Sequence, residues 1–314
     1  MSKQTRLENF NNWPKSKLFD AEATFIDKLN NFKYEEIFSP CKIKENNDYD
    51  THIPISYLLD MVDSLPKRPD HSFDWVWRAF EYMVSDRFSN TNTTSNLRKI
   101  VEQDITSIFI NNENIKESFF SLVKEIPLQS CEYFVKAILN TNSFSYANDN
   151  EYKQLSPFAK RLLTDNGDST LLNPNIQKLF NYLISRYNYI NSESRRNAAL
   201  IIKNALSGNE IENKDNNEKI KLESNDILII LLSGLGYSFR NDRAHAKSIS
   251  PFRSSKATIK TYAHCWFMFL LIYEMLNICL LNYKISLIDM NDLHDNIIFN
   301  CNSYKKLFKN QISK

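Results

Sequence analysis

Glycine is scarce in this sequence: 4 in 314 residues, against roughly 7% in average proteins. Folds built on tight turns, many hairpins or glycine-lined phosphate loops need more, so the shortage excludes glycine-cradled nucleotide folds and points to a mostly helical chain. Cys-x-x-Cys pairs are missing too. The five cysteines, Cys41, Cys131, Cys265, Cys279 and Cys301, are odd in number and widely scattered, the pattern of free thiols in a reducing cytoplasm. The start, MSKQTRLENFNNWPKS, lacks the apolar stretch of a secretory signal. Charge of one sign is also lacking, with Lys+Arg 39 against Asp+Glu 37 for a net +2. A polyanionic partner would therefore be recognised by a local patch rather than by the field of the whole molecule. No GxSxG, HExxH, Walker or kinase pattern occurs, and His52, His71, His264 and His294 lack ligand-spaced partners. No metal or cofactor is expected.

What is present is helical periodicity. Pro14, Pro40, Pro54, Pro66 and Pro69 break residues 1–70 into short helices. SFDWVWRAFEYMVSD (72–86) follows, with Ser72 as N-cap and Phe73, Trp77, Phe80 and Val84 on one face. Its Trp and Phe content assigns this helix to the core, with Asp74, Arg78 and Glu81 on its polar side. We place 1–165 as a proline-broken helical region, 166–284 as a helical bundle and 285–314 as a C-terminal tail. Within the bundle, 175–190 carries Ile176, Leu179, Phe180, Leu183, Ile184 and Tyr187 at i, i+3, i+4 spacing. A second helix over 194–206 ends at Gly208, a C′ glycine. The acid-rich 209–226 reads as a solvated loop, a third helix spans 226–239 and a fourth about 256–283. The run CWFMFLLIYEMLNICLL (265–281) within the fourth contains Glu274 and Asn277 and falls short of about 20 apolar residues, so it reads as a buried helix.

Between the third and fourth helices stands GLGYSFRNDRAHAK (234–247). Two of the four glycines fall within three residues, which predicts a bend or a close backbone approach. Arg240 and His245 are five apart, about 140° around a straight helix, so they are expected to meet at a helix junction or across a dimer. An arginine clamps phosphate oxygens with a permanently charged fork. A histidine can take a proton from an attacking hydroxyl or return one to a leaving oxygen. Those are the parts of metal-independent RNA cleavage, in which the ribose 2′-hydroxyl attacks its own 3′-phosphate. Around them, Arg240, Arg243, Lys247, Arg253, Lys256 and Lys260 face Asp242 alone between 240 and 260. Arg243, Lys247, Arg253 and Lys256 are the expected substrate-phosphate contacts.

Arg240-Asn241-x-x-x-His245, set between apolar helices, resembles the R-N-x3-H signature of the HEPN superfamily, whose broader pattern is R-x(4–6)-H. The resemblance covers about 175–283. It implies an all-α fold, a HEPN-type bundle carrying an additional mostly helical N-terminal region. It further implies an endoribonuclease leaving 2′,3′-cyclic phosphate and 5′-OH ends, of toxin or antiviral-defence type, with an antitoxin or defence-system protein as partner. Carried over, Arg240 stabilises phosphate, His245 is the acid/base residue and Asn241 supports them, with two motifs meeting in a homodimer. One subgroup has R-x(4–6)-H-x-Y. Lys247 stands at the tyrosine position here, so tyrosine modification is not expected. The rival readings are a non-catalytic helical dimerisation or interaction module, and an RNA- or nucleotide-binding sensor without turnover.

Overall fold

A computed structural model describes residues 2–88, 92–165, 168–213, 216–246, 249–283 and 286–312. The protein is mostly helical, about 70% helix, with one minor two-stranded hairpin. The first half carries α1 (Ser2–Asn11), α2 (Asp20–Leu29), α3 (Tyr49–Ser64), α4 (Pro69–Arg87), α5 (Thr93–Lys99), α6 (Thr106–Asn111), α7 (Glu113–Lys124), α8 (Leu128–Leu139), α9 (Asp149–Gln154) and α10 (Pro157–Leu163). The second carries α11 (Pro174–Arg186), α12 (Ser192–Leu206), β1 (Ile211–Asn213), β2 (Glu218–Ile220), α13 (Ser224–Ile229), α14 (Tyr237–Ala244), α15 (Ile259–Leu280) and α16 (Met290–Ile312). Two π-helical segments, Ile100–Ile105 and Ile230–Gly236, join α5 to α6 and α13 to α14 into longer rods.

The apolar run at 265–281 explains the architecture. Every residue of α15 from Thr261 to Leu280 is buried, and α4, α16, α8, α7 and α2 all pack against it. It is the one helix among the described residues long and apolar enough to cross a membrane, and that window is wholly buried inside the protein. Each large side chain it buries stabilises the fold by roughly 1.5–3 kcal/mol. Phe73, Trp77, Phe80 and Val84 of α4 are buried at the expected spacing. Because α4 lies directly on α15, residues 1–165 and 166–284 share one contiguous apolar core.

Four local expectations are corrected. First, α4 begins at Pro69 rather than after Ser72. Proline fits the first helical position, and Ser72 Oγ donates instead to the Met61 carbonyl at 3.0 Å, tying α4 to α3. Second, the loop at 209–226 contains an antiparallel hairpin, because Ile211 and Ile220 face each other across it and are both buried. Asn217 takes the left-handed turn conformation that asparagine tolerates. Third, the tail contains α16, whose Leu293, Ile297, Tyr304, Leu307 and Phe308 form a buried stripe at helical spacing. Fourth, the first bundle helix ends at Arg186, with Tyr187 extended. Gly208 does end α12: at φ 82° it forms the Schellman pair, its N–H donating to the Ala205 carbonyl and that of Asn209 to Asn204.

Glu274 is a buried carboxyl in the middle of this core. Asn300 Nδ2 of α16 donates to its Oε1 at 3.1 Å, and Asn277 Nδ2 approaches Oε2 at 3.5 Å. Asn296 and Asn300 also hold the Ser39 carbonyl, and the Cys41 N–H donates to Tyr273 Oη, which fastens residues 39–41 to α15 and α16. Burial raises the Glu274 pKa to about 7, against the lowering by the Asn300 and Asn277 amides. The unfolded chain loses this proton near pH 4.5 and the folded one near 7. The folded state therefore binds more protons between these values, and stability falls as pH rises through the window. Glu274→Gln removes that slope. Urea midpoints of variant and wild type should diverge in the variant's favour from about pH 4.5 to about pH 7 and run parallel above.

Candidate active site

The site is built on the rod from Ser224 to Ala244. At its start, Asp226 accepts from the Glu223 N–H at 3.1 Å and from the Asn173 and Asn175 side-chain amides at 3.0 and 3.3 Å, so the helix is pinned to the start of α11. The two glycines expected to bend the chain lie in the π-helical segment, where a register change often marks a functional stretch. They admit side chains rather than a turn. A Cβ on Gly234 would stand 2.8 Å from the Phe134 ring, and one on Gly236 3.1 Å from Ile272 and 3.4 Å from Trp77. Arg161 Nε donates to the Ser233 carbonyl in this segment, with its guanidinium 4.6 Å over the Tyr237 ring.

The rod continues through the motif, so Arg240, Asn241 and Arg243 stand on α14 and His245 is its C-cap, with its N–H bonded to the Asn241 carbonyl at 3.0 Å. Arg240 and His245, expected to meet at a helix junction or across a dimer, stand at the end of one helix. Arg240 Nη1 donates to Asn241 Oδ1 at 3.2 Å, while Nη2 lies 3.3 Å from both carboxyl oxygens of Glu81 on α4. Its side chain remains 31% exposed, enough for a ligand to reach the guanidinium. His245 is exposed, and its ring makes no hydrogen bond among the described residues. Neither group is locked inside packed protein.

The three arginines of the basic patch are matched by acids distant in sequence. Arg243 Nε donates to Asp74 Oδ1 at 2.6 Å, and Nη2 reaches Asp74 Oδ2 and, at 3.5 Å, Asp70 Oδ2. Burial opposes its charge, but the hydrogen bonds and charges of Asp74 and Asp70 more than offset this and raise its pKa above the ordinary arginine value. Arg253 Nη1 donates to Glu22 Oε2 at 2.7 Å, and its carbonyl accepts from Arg6. Arg243 and Arg253, expected as phosphate contacts, are thus both ion-paired, and they tie the motif region to α4 and α2. Lys256 is exposed and unpaired among the described residues, and Lys247 lies outside them.

Three clefts surround α14. One of about 510 Å³ lies on the α4 side and includes Asp74, Arg78, Glu81, Arg240 and Arg243. A second of about 480 Å³ includes Tyr133, Lys136, Lys256, Lys260 and His264. A third of about 470 Å³ includes Lys136, Arg161, Ser238 and Asn241. A hollow of about 910 Å³ at 185–194 holds none of the motif residues. Asp70 is the site residue that sequence reasoning missed; the sequence already places Asp74, Arg78 and Glu81 on the polar side of this helix, from which they could project toward a site. The four recur at i, i+4, i+8 and i+11, a charged stripe flanking the apolar face of α4. No His, Cys, Asp and Glu side chains group in threes as a metal site among the described residues. All five cysteines are buried and free.

Comparison with protein-family models, curated proteins and solved structures finds no match to this chain.

Proposed function

We propose that the protein is a metal-independent endoribonuclease of HEPN type that cleaves RNA by 2′-hydroxyl attack, acting in the cytoplasm as a toxin or antiviral effector. One observation carries the reading: Arg240 and Asn241 near the end of α14 and His245 at its cap all remain reachable from solvent, Arg240 lining the cleft on the α4 side and Asn241 the one beside Arg161. His245 takes the proton from the 2′-hydroxyl or returns one to the 5′-leaving oxygen, and Arg240 holds the charge that develops on the phosphate. Asn241 Oδ1 steadies the Arg240 fork from behind. A single Arg–His pair is sparse for phosphodiester cleavage, so a homodimer bringing two motifs together is part of the proposal. In the state described here Glu81 occupies the fork, and substrate phosphate must displace that carboxylate.

A helical interaction module is the second reading, and the Arg240–Glu81 pair is the observation that favours it, since it gives Arg240 a structural partner. Purified protein incubated with RNA and EDTA separates the two. Cleavage should survive EDTA, fail on 2′-O-methyl RNA and leave 2′,3′-cyclic phosphate ends. Glu81→Gln, which frees the guanidinium, should cleave at least as fast as wild type. Silence from both proteins favours the module.

A further inference from the structure

The cleft between α8, α14 and the start of α15 gathers lysines from outside the Arg240–His245 motif, of which Lys256 alone is among the expected phosphate contacts. Lys136 of α8, Lys256 and Lys260 converge on it from three places in the fold. None of the three has an ion-pair partner among the described residues, whereas Lys116, Lys178, Lys219 and Lys305 each pair with a glutamate. The acids of the cleft are already engaged: Asp242 accepts from Tyr133 Oη at 2.8 Å and Glu132 faces Arg196 at 3.5 Å. Lys260 is the second residue of the 22-residue α15, whose first turn holds no acid. A cation at the positive end of a helix dipole is unfavourable alone and becomes favourable when an anion binds there.

His264 supplies the second observation. It is 6% exposed, yet its ring forms part of the cleft wall. Nδ1 is bonded to Ser130 Oγ at 2.8 Å, and Nε2 makes no hydrogen bond among the described residues, leaving that nitrogen for the cleft. Burial, helped by the Arg243 charge, lowers its pKa to about 3, so it meets a ligand as neutral imidazole. Nε2 offers the cleft the role complementary to Nδ1: a donor when Ser130 Oγ donates to Nδ1, an acceptor when Nδ1 donates to Ser130. Tyr133 and Phe239 set their rings edge to face at 5.8 Å beside it, an aromatic wall on which a base can lie. The volume of about 480 Å³ suits one nucleotide unit.

We infer that this cleft is a nucleotide site separate from Arg240 and His245, with phosphate held by Lys136, Lys256 and Lys260 at the α15 N-terminus and the base against Tyr133, Phe239 and His264. A nucleotide within an RNA strand and a free nucleotide share this chemistry, and the strand form rests on the ribonuclease reading. The test uses the full chain carrying His245→Ala, so that RNA stays intact. Fluorescence anisotropy follows a labelled single-stranded RNA and, separately, a fluorescent ATP, with and without Lys136→Glu plus Lys260→Glu.

Loss of RNA affinity by tenfold or more, with a salt slope shallower by about 1.4 for two lost contacts, assigns the site to a strand. The same loss for ATP assigns it to a free nucleotide. Lys309→Glu on α16, which lines none of these clefts, should change neither. Binding unaltered by the two cleft reversals, or lowered equally by Lys309→Glu, overturns the inference, as does absence of binding by both probes. Cleavage by the His245 chain is scored apart, so failure of the ribonuclease reading leaves the ATP arm standing.

Discussion

His245→Ala is expected to lower single-turnover RNA cleavage by roughly 10²–10⁴-fold, the range for loss of a general acid–base group, with no change in helicity or thermal midpoint. The structure makes this separation of activity from stability possible. His245 caps α14 through its backbone N–H, which alanine retains, and its ring is exposed without a hydrogen bond among the described residues. A fall in activity therefore cannot be attributed to unfolding. Arg240→Lys is the companion: it keeps the charge but loses the planar fork that spans Asn241 Oδ1 and Glu81. If Arg240 only braces α14 against α4, lysine should preserve cleavage. If it holds the phosphate, cleavage should fall while the thermal midpoint moves little. Full activity in His245→Ala would end the ribonuclease reading of this motif.

Asp70→Asn is expected to destabilise the fold by about 3–5 kcal/mol, the usual consequence of removing one member of a buried charge cluster. Asp70 is wholly buried in the first turn of α4. Arg68 Nε and Nη2 grip its two oxygens at 2.9 and 2.8 Å, and Arg243 Nη2 adds a third contact at 3.5 Å. Burial opposes ionisation, but the hydrogen bonds and charge of Arg68, with Arg243 and His71, hold its pKa below the usual carboxylate value. A depressed pKa stabilises the fold above the ordinary carboxylate range, and the contribution is lost as pH falls through the lowered value. The gap between wild type and Asp70→Asn in urea unfolding should thus be constant above about pH 5 and close below about pH 4. A gap that persists unchanged at pH 3 would show that shape rather than charge matters at this position.

The charge cluster also shows where sequence reading succeeds and where it stops. The apolar face of α4 and the burial of the 265–281 helix follow from side-chain spacing alone, because period 3.6 is a local property. The destination of the polar face is not local. Asp74 meets Arg243 across 169 positions and Glu22 meets Arg253 across 231, so the arginines of the apparent excess of positive charge around the motif are matched by acids that spacing cannot bring into view. Gly234 and Gly236 were legible as a place of close approach, but the approaching groups are Phe134, Ile272 and Trp77, and the backbone answers with a π-helical register instead of a bend. Ile211 and Ile220 escape notice within a charged stretch because two isolated apolar residues give no period. Their pairing becomes visible only once the hairpin sets them opposite each other.

The position of α15 bears on synthesis. Its neighbours α2, α4, α7 and α8 all precede it in the chain, and the hydrogen bonds of residues 39–41 wait for Tyr273 and Asn300. A nascent chain must therefore carry several exposed apolar helix faces until α15 has been translated. Such long-range closure is slow and prolongs the exposure of apolar surface during folding. It also means that Arg240 and His245 are synthesised before α15, the helix around which the core that supports them is assembled.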